Sequence, residues 1–217
     1  MSALTLALDA STYTGSVAIL DGARVLAERA VAMRGAHEER LMPAVAEALG
    51  EAGAAPASLA RVVCGAGPGS FTSLRIAASI AKGFAAARAL PLFAVPSLAL
   101  VVAGNDLPDG RWLVALDAMR GDAYVTGYAL ERGAIAEIAP FALVARAAVA
   151  PMAHALRAQV AGPAEATEGW PRARGVARLE PMLGAAVDLA TWEPSYGRVA
   201  EAQARWEREH GRPLERA

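Results

Sequence analysis

The sequence predicts an α/β protein of two lobes with similar architecture, each with a mixed β-sheet and helices, over residues 1–103 and 104–217. Three observations carry this. Short apolar strands precede helical segments in both halves, which is the order of an α/β class with mixed sheets. The tetrapeptide Ala7-Leu8-Asp9-Ala10 recurs as Ala115-Leu116-Asp117-Ala118, each time at the end of a hydrophobic strand. Each copy is followed by a glycine-containing turn, a second strand, another turn (Asp21-Gly22 or Arg132-Gly133) and a third strand, and this shared order points to internal duplication.

Element by element, strands are expected over 5–9, 16–21 and 24–29, the last two joined at Asp21-Gly22. Leu41, Val45 and Leu49 recur at helical spacing and predict a helix over 38–49. Pro43 removes a backbone donor there, so this helix starts late or bends. A strand over 61–65 leads into Gly67-Pro68-Gly69-Ser70, a helix over 70–87 follows, and a strand over 92–95 closes the first half. The second half repeats the three strands, with the middle one over 123–130. Helices are then expected over 142–158 and 181–190, separated by a strand over 159–161 and the irregular stretch 162–178. A charged helix over 199–210 ends the pattern.

Composition excludes some function classes. A net charge of −1 disfavours a surface that neutralises a phosphate backbone, and so a direct nucleic-acid-binding module. The apolar run 90–103 is cut by Pro91, Pro96 and Ser97, short of the roughly 20 unbroken apolar residues of a membrane span. The start, Met1-Ser2-Ala3-Leu4, lacks a basic signal region, and Cys64 is the single cysteine; the cytoplasm is the expected location. His37, His154 and His210 stand at no metal-ligand spacing, so no metal site is expected.

Gly67-Pro68-Gly69-Ser70 follows a strand and opens a helix. Backbone N–H groups and the helix dipole make such a place suited to anions, and glycine lets a phosphate approach the chain. It lacks the Lys-Ser/Thr of a phosphate-binding P-loop, and it also fits a plain capped turn. Asp9, with Ser11 and Thr12 behind it, reads either as an acid and hydroxyls aimed at a metal and phosphate, or as a strand-ending turn. Together Asp9, Ser11, Thr12, Gly67, Gly69 and Ser70 are the nucleotide-binding candidates. The helix after the loop is apolar all round: Ile76, Ile80 and Phe84 form one stripe, Leu74, Ala77, Ala78, Ala81 and Ala85 another. Such a helix is covered on both sides, by a helix of the same chain or by a partner. Arg172, Arg174 and Arg178 form a basic loop, either solvated or able to touch phosphates.

Five blocks carry a family resemblance: Leu6-Ala7-Leu8-Asp9-Ala10-Ser11; His37-Glu38-Glu39-Arg40-Leu41-Met42-Pro43; Gly67 through Ile76; Leu116 through Tyr124; and Glu193-Pro194-Ser195-Tyr196-Gly197-Arg198. In this order they resemble the TsaB (YeaZ) family of the bacterial machinery that makes N6-threonylcarbamoyladenosine in tRNA. The resemblance implies the duplicated actin-like, Hsp70-like (ASKHA) fold. It also implies a noncatalytic scaffold that binds TsaD, the subunit that transfers the threonylcarbamoyl group, and TsaE through the complex. Without TsaD a homodimer is expected; tRNA contact is indirect, and no membrane contact is expected. The metal pair of catalytic relatives falls on Ser97 and Val101, so no catalytic residue is assigned. The implied partner surface lies on the two first-lobe helices. It takes His37, Glu38, Leu41, Met42 and Val45 from one, and Leu74, Arg75, Ala77, Ala78, Ala81, Lys82 and Ala85 from the other. No cofactor of the chain's own is implied, while ATP or ADP at the junction with TsaD is left open. Ala10 stands where the family usually has Thr, and Ser73 and Ala77 where it usually has Gly. The alternative is a free-standing ATP-dependent phosphotransferase or metallopeptidase of the same fold.

Overall fold

The computed structural model describes residues 4–33, 39–198, 206 and 209–211. The first sheet holds β1 (Leu4–Asp9), β2 (Thr14–Asp21), β3 (Arg24–Ala32), β4 (Leu59–Gly65) and β5 (Leu92–Val95) in the order β3-β2-β1-β4-β5. The second holds β6 (Gly110–Asp117), β7 (Asp122–Glu131), β8 (Ala134–Ala145), β9 (Gln159–Gly162) and β10 (Thr167–Glu168), in the order β8-β7-β6-β9-β10. Both therefore run third-second-first-fourth-fifth, with antiparallel hairpins followed by parallel pairs. The fold is the duplicated two-lobe α/β fold, and the repeated Ala-Leu-Asp-Ala occupies the same place at the end of each central strand.

Alternation along β1 sends its side chains to two different cores. Leu4, Leu6 and Leu8 pack under α1 (Leu41–Glu51) and α2 (Phe71–Arg88), while Ala7 faces α3 (Ser97–Gly104). In β6, Trp112, Val114 and Leu116 face α3 as well, and Leu113 and Ala115 pack on α4 (Val149–Leu156). Helix α3 thus lies in one core shared by both sheets, with all eight of its residues buried. It is absent from the sequence reading because a helix apolar on every side carries no 3.6-residue period.

Two other expectations are corrected. The helix over 142–158 begins only at Val149, because 142–145 continue β8 and place Ala142 and Val144 in the core beside α4. Pairing with β7 overrides the helix preference of those alanines. Residues 181–190 are not a helix. A 3-10 turn at Glu180–Met182 gives way to an irregular chain in which Val187 N–H donates to the Leu92 carbonyl at 2.8 Å, and Val187 and Leu189 pack on the first core. Helix α1 starts at Leu41, so Pro43 sits in its first turn, where no helical N–H bond is lost; the Glu39 carboxylate instead accepts from Leu41 and Met42 N–H. Of the helix expected over 199–210, Trp206, Glu209 and His210 are described and have helical backbone. Among the described residues no helix is long and apolar enough to cross a membrane.

Candidate functional site

Asp9 ends β1 fully buried and turned into its own lobe. Its Oδ1 accepts from Ser11 N–H at 2.9 Å and Ser11 Oγ at 2.8 Å, and its Oδ2 from Ser97 Oγ at 2.5 Å. Ser97 Oγ in turn accepts from Gly67 N–H at 3.0 Å, so one hydroxyl ties the strand end to the glycine loop. The close approach needs Gly65, where a Cβ would lie 1.9 Å from Asp9 Oδ2. This corrects the picture of an acid aimed into a cleft. A metal does not fit here either: Ser97 Oγ is engaged, and Val101 is a buried hydrocarbon. Among the described residues no three His, Cys, Asp or Glu cluster as metal ligands.

Burial holds the Asp9 carboxyl above the usual carboxylate range, outweighing the hydrogen bonds from Ser97 and Ser11 that pull it down. A raised folded-state pKa contributes stability that is fully present below the unfolded value and lost as pH rises through the folded one. Wild-type stability is therefore expected to fall with rising pH across that window. Asp9→Asn, which does not titrate, should remove that part of the slope in urea denaturation at a series of pH values. A wild-type-minus-variant difference that is flat, or that rises with pH, contradicts the assignment.

The glycine loop is filled by the chain itself. Ser70 N–H donates to the Ser11 carbonyl at 2.8 Å, and a Cβ on Gly69 would lie 2.0 Å from that oxygen. Gly67, at φ +82°, has the Ser195 carbonyl against it. Ser11, Thr12, Gly69 and Ser70 do line a cleft of ≈ 740 Å³ between the lobes, and Asp9 and Gly67 do not. Opposite them stand Asp117, which accepts from Met119 N–H at 2.8 Å, and Arg146, paired with the largely buried Glu165 at 2.5 Å. Met119 and Arg120 both have left-handed backbone (φ 63° and 58°), a conformation that costs non-glycine residues energy and shapes this rim. Tyr124, Trp170, Tyr196 and Arg198 complete the walls. Their cleft role was missed, since it depends on contacts between segments far apart in the sequence; Tyr124, Tyr196 and Arg198 stand within the quoted blocks, and Trp170 carries no local signal.

The partner-face candidates divide by direction. Leu41, Val45, Leu74, Ala77, Ala81 and Ala85 are fully or almost fully buried in the chain's own cores, and Ala78 is 6% exposed. The alanine stripe is thus covered by the first sheet, which corrects its assignment to an outside surface. Met42 (42% exposed) and Arg75 face solvent, and Lys82 is half-buried with its ammonium 5.8 Å from the Trp192 ring. His37 and Glu38 lie outside the described residues. The outward side of α2 instead presents Phe71, Thr72, Arg75, Ile76, Ser79 and Ile80, which with Glu39 line a hollow of ≈ 480 Å³. Phe71 is 48% exposed, the Arg75 guanidinium sits 5.3 Å over its ring, and the same ring lines the inter-lobe cleft.

The remaining candidates are structural. Arg174 donates to the Gly104 carbonyl at 2.6 Å, and Arg178 reaches the Ala103 and Gly133 carbonyls at 3.4 Å, so this basic loop ties elements together. Cys64 is buried, and burial pushes its thiol pKa up, away from the reactive thiolate.

Comparison with known proteins places these features. Residues 28–171, more than half of the chain, match the family model described as "TsaD: tRNA N6-adenosine threonylcarbamoyltransferase". The chain is 36% identical over 135 residues to the tRNA threonylcarbamoyladenosine biosynthesis protein TsaB of Bacillus subtilis (strain 168), covering 62% of this chain and 59% of that protein. It is 33% identical over 132 residues to the TsaB of Escherichia coli (strain K12), covering 60% and 57%. The matches thus span less than two thirds of these relatives' length. A Pseudomonas aeruginosa crystal structure, of an uncharacterized protein with similarity to peptidase YEAZ, superposes with a TM-score of 0.77 at 28% identity, covering 90% of this chain and 100% of that one. With the ordered sequence blocks and the duplicated fold, these matches establish that the chain belongs to the TsaB/YeaZ family.

Proposed function

We propose that this chain is a noncatalytic subunit in the synthesis of tRNA threonylcarbamoyladenosine, docking on a TsaD-type transferase and, through it, a TsaE-type protein. The observation that carries the reading is a division of labour on the first lobe. Its candidate acid, Asp9, is consumed by internal hydrogen bonds, whereas α2 turns an apolar hollow outward. The biosynthetic role named for the curated TsaB relatives supports the pathway. With the transferase absent, a second copy of the chain would cover the same hollow, since an exposed apolar face favours association. Near-neutral charge supports an indirect contact with tRNA, and a tRNA substrate supports a cytoplasmic place for the complex. For ATP or ADP at the junction with the transferase, the inter-lobe cleft is the supported place, since its wall residue Phe71 also lines the α2 hollow.

Reconstitution tests this. The TsaD-type subunit of the same organism, the remaining pathway proteins and tRNA are combined with and without the chain, and threonylcarbamoylated adenosine is quantified. Modification is expected with the chain present and not in its absence. Full modification without it, or ATP hydrolysis or zinc-dependent proteolysis by the chain alone, would overturn the reading in favour of a free-standing enzyme.

A further inference from the structure

Residues 193–198 cross the mouth of the inter-lobe cleft and touch both lobes. On the first lobe, Ser195 N–H donates to the Ala66 carbonyl at 2.7 Å, and the Ser195 carbonyl packs against Gly67. The Tyr196 ring lies 4.6 Å from Phe71 at the start of α2. On the second lobe, the Tyr124 hydroxyl donates to the Tyr196 carbonyl at 3.0 Å. Arg198 donates to the Met119 carbonyl at 3.2 Å and pairs with Asp122. Gly197, at φ +71°, fits between the lobes: a Cβ there would meet the Tyr124 ring at 2.5 Å on one side and Pro68 Cβ at 2.6 Å on the other.

The two lobes also meet in the core around α3. That contact is apolar, and polar ties flank it away from the cleft mouth: Ala173 N–H donates to Ser16 Oγ at 2.9 Å, and Arg61 pairs with Glu180 at 2.6 Å. The strap differs from these ties in its place, because Tyr196 and Arg198 line the cleft and the other ties do not. It makes a few polar contacts, and its ion pair is partly exposed, with side-chain exposures of 26% for Arg198 and 33% for Asp122. Such a pair weakens with salt and can be exchanged for another partner at small cost. Tyr196 and Arg198 are themselves walls of the cleft, so moving the strap changes the cleft directly. Through Phe71, which lines both the cleft and the outward hollow, the strap is also joined to the α2 surface.

We propose that residues 193–198 are a latch that sets the opening of the inter-lobe cleft, with the Arg198–Asp122 pair as its releasable end and the Phe71–Tyr196 ring contact as its fixed end. The latch is a property of the chain alone, so it stands or falls independently of the docking partner.

Distances between the lobes test it. Cys64 is the single cysteine and is buried, so nitroxide labels go selectively to cysteines placed at the exposed Ala46 of α1 and Ala136 of β8. Double electron–electron resonance on the doubly labelled full chain is expected to give one narrow distance distribution. Arg198→Ala should shift it to longer distance and broaden it. Tyr124→Phe, which removes the hydroxyl's hydrogen bonds to the Tyr196 carbonyl and to Arg198 but keeps the ring and the Arg198–Asp122 pair, should broaden it less, and raised salt should move the unsubstituted chain in the same direction. If Arg198→Ala does not fold, Tyr124→Phe and the salt series decide. Distributions that stay unchanged in the folded variants and across the salt series overturn the latch.

Discussion

A Gly69→Ala chain is expected to lose roughly 3–5 kcal/mol of stability, because the new methyl group has nowhere to go. Its Cβ would lie 2.0 Å from the Ser11 carbonyl oxygen, 2.7 Å from the carbonyl carbon and 2.8 Å from the Cα. All three are backbone atoms, so no rotamer change relieves the clash. Nor can Ser11 move alone. Its N–H and hydroxyl are held by Asp9, and its carbonyl receives Ser70 N–H. Displacing it breaks the network that satisfies a buried carboxylate and frees the start of α2. Against a typical total of about 5–15 kcal/mol this is a large fraction, and at this chain length it lowers the melting temperature by about 10 °C. Gly50→Ala is the control. It lies in α1 with nothing within 4 Å of its would-be Cβ, so the helix gains about 0.5 kcal/mol. Calorimetry of both variants separates the cases, and a Gly69→Ala chain that melts with the wild type would show that the loop is not packed on Ser11.

The fold was legible where local pattern and tertiary fate agree. Strands β1, β2, β4 and β5 and helix α2 announce themselves by apolar runs bounded by turn residues, and the repeated Ala-Leu-Asp-Ala exposes the duplication. Helix α3 was not legible, because burial on every side erases the periodicity by which a helix is recognised. The start of β8 was recognisable, but its end was hidden in an alanine-rich stretch that suits a helix equally well; pairing with β7 decided the matter. In the site, Asp9 was found and its direction was not. The direction is set by Ser97, 88 residues away in sequence, whose hydroxyl draws the carboxylate inward. The stripes of α2 posed the same difficulty. Alanines permit close approach to a sheet as readily as to a partner helix, so the sequence identified two apolar faces without saying which one the chain keeps for itself.

That distinction gives the second large effect. Ile76 and Ile80 lie half-buried on the outward side of α2, lining the hollow with Phe71 and Arg75, whereas Ala77 and Ala81 are sealed under the sheet. An Ile76→Glu/Ile80→Glu chain can keep its carboxylates in water at the rim and so retains its fold, with a lowered melting temperature because both isoleucines also pack against the first core. In a docked complex those two charges would be buried without partners, a cost large enough to weaken association by roughly 100-fold or more. A charge at Ala81 would instead unfold the lobe and report nothing about docking. The decisive measurement is therefore sedimentation velocity of the TsaD-type subunit titrated with the wild-type chain and with the folded Ile76→Glu/Ile80→Glu variant. The account predicts a heterocomplex with the wild type that disappears with the variant. Equal binding by both, or no complex with either, would contradict it.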